Sequence, residues 1–177
     1  MFKTVMQEPV VPQPVEGVTV RFADEEDAET MLGFIRELAE YEKLADEVVT
    51  NKETLAQNLF GPQPYAECLI AESNGQPAGF AVFFHTFSTF AGKPGLYLED
   101  LYVKPEFRKT GIGFQLMQEL AHIVLERDCV RIEWRVLDWN IPGIIFYRKF
   151  GAKPLNNWIT QQLEREQIEQ LAEEEFG

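Results

Sequence analysis

The run Arg108-Lys109-Thr110-Gly111-Ile112-Gly113 constrains this chain more than any other stretch. It follows the apolar, alternating segment Leu96-Tyr97-Leu98-Glu99-Asp100-Leu101-Tyr102-Val103 and precedes a helical pattern carried by Ile112, Leu116, Leu120, Ile123 and Val124. A strand, a short basic glycine turn and a helix make an anion cradle, because exposed amides and the positive end of the helix dipole point at one place. The turn lacks the Gly-Lys-Ser/Thr ending of a nucleoside-triphosphate loop and the three glycines of a dinucleotide fingerprint. A phosphate site of neither kind leaves few architectures.

The rest of the chain reads as a mixed α/β sheet. Val18 to Phe22 alternates as a first strand. Asp24 caps a helix with Ala28, Met31, Leu32, Ile35, Leu38 and Ala39 at the 3.6 period. Thr50 with Glu53 reads as a capping box for a second helix through Leu55 and Leu59, ended by Gly61-Pro62-Gln63-Pro64. Strands are expected over Ala66 to Glu72, Ala78 to Thr86 and Leu96 to Val103. Ser73-Asn74-Gly75-Gln76 turns the first pair as a hairpin, and Phe87 to Gly95 is a loop joining the second. Val130 to Val136 alternates as a further strand. Asn140 and Pro142 open a helix that stops at Gly151, a last strand spans Trp158 to Leu163, and an acidic helix closes the chain.

At 177 residues the chain is long enough for one domain with a substantial core. Residues 1–17 read as a flexible, proline-rich leader without signal-peptide character, and residues 18–177 as the domain. No apolar run approaches the roughly 20 residues needed to span a bilayer. Cys68 and Cys129 lie in apolar, strand-like runs and are expected to be buried, reduced thiols of a cytoplasmic protein. The net charge of -13, part of it in an acidic C-terminal stretch, repels nucleic-acid phosphate and favours cationic ligands.

This element order, with its motifs, resembles the GNAT N-acetyltransferase superfamily. That family's coenzyme A turn reads Arg/Gln-x-x-Gly-x-Gly/Ala, which Arg108 to Gly113 matches throughout. The likeness runs from about Val18 to about Leu171. Tyr97-Leu98-Glu99-Asp100, Asp138-Trp139-Asn140, Phe146-Tyr147-Arg148-Lys149-Phe150-Gly151-Ala152 and Glu37-Leu38-Ala39-Glu40-Tyr41-Glu42-Lys43-Leu44 are similar to the diamine (spermidine/spermine) N-acetyltransferases. Val136-Leu137-Asp138-Trp139-Asn140 is especially similar to the thialysine N-acetyltransferase branch.

The resemblance implies a mostly antiparallel central sheet with flanking helices, acetyl-CoA as acetyl donor, no metal, and a homodimer. It implies that Leu101, Tyr102 and Val103 offer backbone to the pantetheine arm. Arg108, Lys109, Thr110, Gly111, Ile112, Gly113 and Phe114 would hold the pyrophosphate, and Asn140, Pro142, Gly143 and Tyr147 would lie on the cofactor side. Gly111 and Gly113 suit that task because a residue without Cβ admits close approach.

Acetyl transfer to an amine requires a base for the ammonium, donors for the carbonyl oxygen and an acid for the departing thiolate. By resemblance, Tyr147 is the acid, since a phenol with a reference pKa of about 10 is protonated at neutral pH. Glu99 would act as base through an ordered water. A cationic acceptor calls for acidic and aromatic walls, which the resemblance assigns to Tyr41, Glu42, Ser88, Glu133, Trp134 and Arg135. Where polyamine enzymes carry an acid, this chain reads Thr86-Phe87-Ser88-Thr89-Phe90, and their acidic stretch before Trp158 is shortened to Leu155-Asn156-Asn157. Fewer acids and the added Arg135 favour a thialysine-like or lysine-like ω-amine over a long polycation. A protein or peptide amine as acceptor, and a non-catalytic acyl-CoA sensor, remain the alternatives at this level.

Overall fold

The structure, a computed structural model, describes residues 15–173. They fall into two compact units, residues 15–140 and residues 141–173. The first unit holds β1 (Val18–Phe22), α1 (Ala28–Glu42), α2 (Lys52–Phe60), β2 (Glu67–Ser73), β3 (Gln76–Ser88), β4 (Lys93–Val103), α3 (Ile112–Glu126) and β5 (Ile132–Glu133). The second holds α4 (Ile141–Arg148) and α5 (Arg165–Glu173). The expected leader lies outside the described residues up to position 14. Its last described residues form a turn tied to the β2–β3 hairpin by Asn74 N–H donating to Gly17 O at 2.7 Å.

The five strands run in the order β1-β2-β3-β4-β5, with only the β4–β5 pair parallel. The mixed, mostly antiparallel sheet with flanking helices is therefore as expected. Asn74 and Gly75 both take positive φ (49° and 76°), which gives the two-residue turn between β2 and β3 the twist such a hairpin needs.

Burial on both faces explains the near-continuous apolar strands. On one face α1 and α2 cover Cys68, Ile70, Phe80, Val82 and Tyr102, with Met31 and Phe34 pressed down from α1. The alternate residues Leu69, Ala81, Phe83 and Leu98 are equally buried and belong to the opposite face, along which α3 runs. Phe34 was not in the expected stripe of α1, yet it is 1% exposed and lies 5.2 Å from Phe80. Asp24 does cap the start: its carboxylate accepts from Glu26 N–H, ahead of a short 3-10 turn.

Several boundaries differ from expectation for physical reasons. The cap of α2 is Asn51, whose side chain accepts from Thr54 N–H at 2.9 Å, so Thr50 is not the capping residue. Replacing Asn51 by Ala is accordingly expected to cost about 1 kcal/mol, and Thr50→Ala less than about 0.5, in urea unfolding. The β3–β4 loop is shorter than Phe87 to Gly95, because cross-strand pairing continues to Ser88 and Lys93.

Val130 to Val136 forms a ladder only at Ile132 and Glu133. The segment 158–163 joins no strand, and Trp158, Ile159 and Leu163 stay exposed. Alternation makes a strand only where a neighbouring edge supplies hydrogen bonds. Cys129 lies outside any strand, past the turn that ends α3, and is only partly buried.

Candidate active site

The register between β3 and β4 slips once. Val82 pairs with Asp100 and Phe83 with Leu98, so Glu99 is an extra residue and a β-bulge interrupts the ladder. A bulge sets two consecutive residues opposite one and re-aims their side chains, here the carboxylates of Glu99 and Asp100 opposite Val82. Just before the bulge, β5 pairs with Leu96 and Tyr97 and then ends. No described strand lines that side of β4 from Leu98 to Val103, so Leu101, Tyr102 and Val103 form an open edge able to accept an extended ligand as an added strand.

The glycine turn follows that edge. After a 3-10 turn at Pro105–Phe107, Lys109 takes φ 65°, and Gly111, at φ 99°, is the N-cap of α3. No N-cap side chain bonds the first turn of α3, which begins with Ile112, Gly113 and Phe114. A Cβ at Gly111 would lie 2.6 Å from Val15 Cγ2, so only glycine suits the position. Thr110 Oγ1 donates to Phe107 O at 2.6 Å and holds the turn. An open strand edge leading to a helix N-terminus without a side-chain cap fits a pantetheine arm and its phosphates.

Two stripes of α1 reach this region. Phe34, Glu37 and Tyr41 meet the end of β4. Burial, and then the bond that Tyr102 Oη donates to Glu37 at 3.1 Å, push the phenol up to about 12, and Lys104 Nζ lies 3.4 Å from Glu37. Arg108, although exposed, bends back onto the strand. Its Nε donates to Val103 O at 2.9 Å, and its guanidinium lies 5.0 Å from the Tyr41 ring centre and 5.5 Å from that of Tyr102. Tyr41 Oη donates to Asn140 Oδ1 at 2.9 Å, and its ring stands 6.0 Å from Trp139. Residues expected on the cofactor side (Arg108, Asn140) and on the acceptor side (Tyr41) thus share one cluster.

The second stripe, Ile35, Leu38, Ala39 and Glu42, lines a recess of about 290 Å³ with Asp100 and the segment after α1. Burial raises the Glu42 carboxyl above the ordinary carboxylate range. Asp100 was not among the expected site residues. It is mostly buried, and desolvation, then Glu99 and Glu42, push its carboxyl up to about 6. The only sequence signal for it is its position beside Glu99. A larger groove, about 490 Å³ around Glu25, Lys52 and Glu53, shares no residue with the bulge or the glycine turn.

The other expected acceptor residues are more dispersed. Arg135 donates to Tyr97 Oη at 2.7 Å, and its charge is held by that bond and by Glu99, which keeps it near the bulge. Glu133 pairs with Arg131 at 2.7 Å, and Trp134 follows β5, half-buried. Ser88 is buried at the β3–β4 hairpin tip, where its Oγ accepts from Ala91 N–H. It lies about 18 Å along the strand from the bulge at the usual rise per residue, so the two are not brought together. In the second unit, Pro142 and Gly143 lie in the first turn of α4. Tyr147 is half-buried near its end with Phe146 edge-on at 5.2 Å.

The sequence of residues 21–152 matches the family described as "Acetyltransferase (GNAT) family". This chain is a GNAT acetyltransferase. Among its relatives, the thialysine N-epsilon-acetyltransferase of Sus scrofa is 38% identical over 88% of this chain and 98% of its own length. The Caenorhabditis elegans thialysine N-epsilon-acetyltransferase is 34% identical over 83% of this chain and 92% of its own. Human spermidine/spermine N(1)-acetyltransferase-like protein 1 is 32% identical over 88% of this chain and 24% of its own. An integron cassette protein from the mobile metagenome of V. cholerae superposes with a TM-score of 0.76 at 25% identity, covering 89% of this chain and 99% of that one. As a GNAT enzyme the protein takes its acetyl group from acetyl-CoA, and the open β4 edge and the Gly111 cap are the parts of this chain suited to hold it. No helix among the described residues is long and apolar enough to cross a membrane.

Proposed function

We propose that this GNAT acetyltransferase moves the acetyl group of acetyl-CoA to the primary amine of a small cationic molecule. The acceptor is a thialysine-like or lysine-like ω-amine or a di-/polyamine. The observation that carries this reading is the bulge in β4: it gathers two carboxylates beside an acid-rimmed recess, next to the edge suited to the donor. A cation is attracted there, and the similarity to thialysine N-epsilon-acetyltransferases over nearly the whole chain points the same way.

Acetyl-CoA supplies an activated acyl group and a thiolate leaving group. Glu99, exposed on the bulge, takes the proton of the acceptor's ammonium through a water. A backbone amide near Leu101 on the open edge donates to the carbonyl oxygen. Tyr147 returns a proton to the departing sulfur. Transfer is direct: burial raises the thiols of both Cys68 and Cys129, so neither is a thiolate at neutral pH. Leu101, Tyr102, Val103, residues 108–114, Asn140, Pro142 and Gly143 hold the donor, and Tyr41, Glu42, Trp134 and Arg135 serve the acceptor, Arg135 as partner for an amino-acid carboxylate. We read the enzyme as a cytoplasmic homodimer whose acidic surface keeps nucleic acid away.

Free-CoA release with acetyl-CoA and a panel of thialysine, lysine, ornithine, diamines, spermidine and a peptide tests the reading. Thialysine or lysine is expected to give the highest kcat/KM. Binding of acetyl-CoA with turnover of the peptide alone would replace the small-molecule reading by a protein-acetylating one.

A further inference from the structure

Resting on the amine-acceptor reading above, we propose that Asp100, which lines the recess beside α1, is the carboxylate that receives the acceptor's ammonium. Glu99 keeps a separate task as proton acceptor. The acceptor's hydrocarbon portion then lies against Ile35, Leu38 and Val48, and Glu42 faces the same cation.

The setting of Asp100 is costly unless a cation arrives. It lies opposite Val82 and two residues before Tyr102, on the sheet face that carries Cys68, Val82, Tyr102 and the underside of α1. A carboxylate placed there loses hydration and needs a partner. Both charges that act on it are negative: Glu99 on its own strand and Glu42 from α1. Glu47, across the recess, adds a third acid, and the nearby Cys68 thiol of β2 feels Asp100 while remaining protonated. No ion pair among the described residues includes it.

Apart from Glu42, which faces the same recess, the chain pairs its other shielded acids. Asp27 holds Arg21 with both oxygens, 2.6 and 2.9 Å, and Arg127 donates to both oxygens of Glu67. Glu37 has Lys104 and Tyr102. Asp100 is the contrast, and the bulge is what puts it beside Glu99, since in an unbroken strand neighbours point to opposite faces. Strain of this kind, kept where a recess gives access, marks a ligand position. The recess volume of about 290 Å³ falls just under the roughly 300–1,000 Å³ of drug-sized ligand pockets, which suits one amino-alkyl chain.

The sign of the pH dependence follows. The Asp100 carboxyl titrates at about 6 in the folded chain against an ordinary 3.8, so its charge costs stability as pH rises from about 4 through 6. An ammonium favours the charged form, so its affinity should be full above pH 7 and fade below 6.

Thermal unfolding of the full chain with thialysine alone, without acetyl donor, is the direct test. The wild-type midpoint should rise with thialysine at pH 8, and matching that rise at pH 5 should take about tenfold more thialysine. Asp100→Asn should melt above wild type at pH 8 and level with it at pH 4, and lose the thialysine response. Its KM for the amine should rise about tenfold or more with kcat changed less. Glu99→Gln should show the reverse: a kcat loss with the thialysine response kept. A wild-type thialysine affinity as tight at pH 5 as at pH 8 overturns the proposal whether or not the variant folds, as does Asp100→Asn that keeps its amine response. If wild type neither responds to nor acetylates any small amine, the acceptor reading itself falls instead.

Discussion

Tyr147→Phe is expected to lower kcat by about 10²-fold or more while acetyl-CoA binding stays within about threefold. The substitution keeps the ring that packs edge-on to Phe146 in α4, so folding should be preserved and the lost group is the phenolic proton alone. An unprotonated thiolate is a poorer leaving group, so the loss should appear in kcat rather than in the KM for either substrate. Raising the pH should not rescue the variant. Free-CoA release gives kcat, and an equilibrium titration gives the donor affinity. Near-normal turnover would remove Tyr147 from the acid role.

The second large effect is expected at Gly111. Its φ of 99° is open to glycine, and a Cβ there meets Val15 Cγ2 at 2.6 Å. Gly111→Val imposes both penalties with a β-branched side chain, for an expected loss of about 1–3 kcal/mol of stability. It should also weaken acetyl-CoA at least tenfold, because the first turn of α3 shifts relative to the edge of β4. Gly75→Ala is the control: φ is 76°, yet nothing lies within 4 Å of its would-be Cβ. That variant should lose about 1 kcal/mol and bind acetyl-CoA as wild type does. Urea midpoints and donor titrations for the pair separate backbone strain from ligand approach. Unchanged donor affinity in Gly111→Val would detach the turn from cofactor binding.

What could be read without coordinates was whatever depends on neighbours in sequence. The stripe of α1, the Asn74-Gly75 turn, β1 and the glycine turn all follow from local spacing and residue chemistry. What escaped depends on pairing across the chain. The bulge at Glu99 is a fact about how β4 lies on β3, and nothing in Leu98-Glu99-Asp100 announces it. Asp100 was missed for the same reason: in an unbroken strand it would face away from Glu99. Segment 158–163 carries strand-favouring Trp158, Ile159 and Thr160 without the alternation of β1, and no described edge receives it. The resemblance puts Ser88 in the acceptor site, whereas the long hairpin carries it to the tip, where its hydroxyl serves the turn. Arg108 lies near the Tyr41 and Tyr102 rings, a contact set by where α1 packs and not by the local sequence of the glycine turn.

The unpartnered edge of β4 beyond Tyr97 has a thermodynamic consequence. A sheet whose outer edge is paired only as far as Tyr97, and can be continued by a ligand, has part of its stability stored in solution rather than in the chain. Its unfolding midpoint should climb with acetyl-CoA concentration as RT ln(1 + [L]/Kd), roughly 2.7 kcal/mol at a hundredfold excess over Kd. Amide exchange at Leu101 and Val103 should slow in step. Cells short of acetyl donor would then hold less enzyme in its sturdy form, and an exposed strand edge invites association with other chains. The abundance of this enzyme would thereby follow the supply of its own substrate.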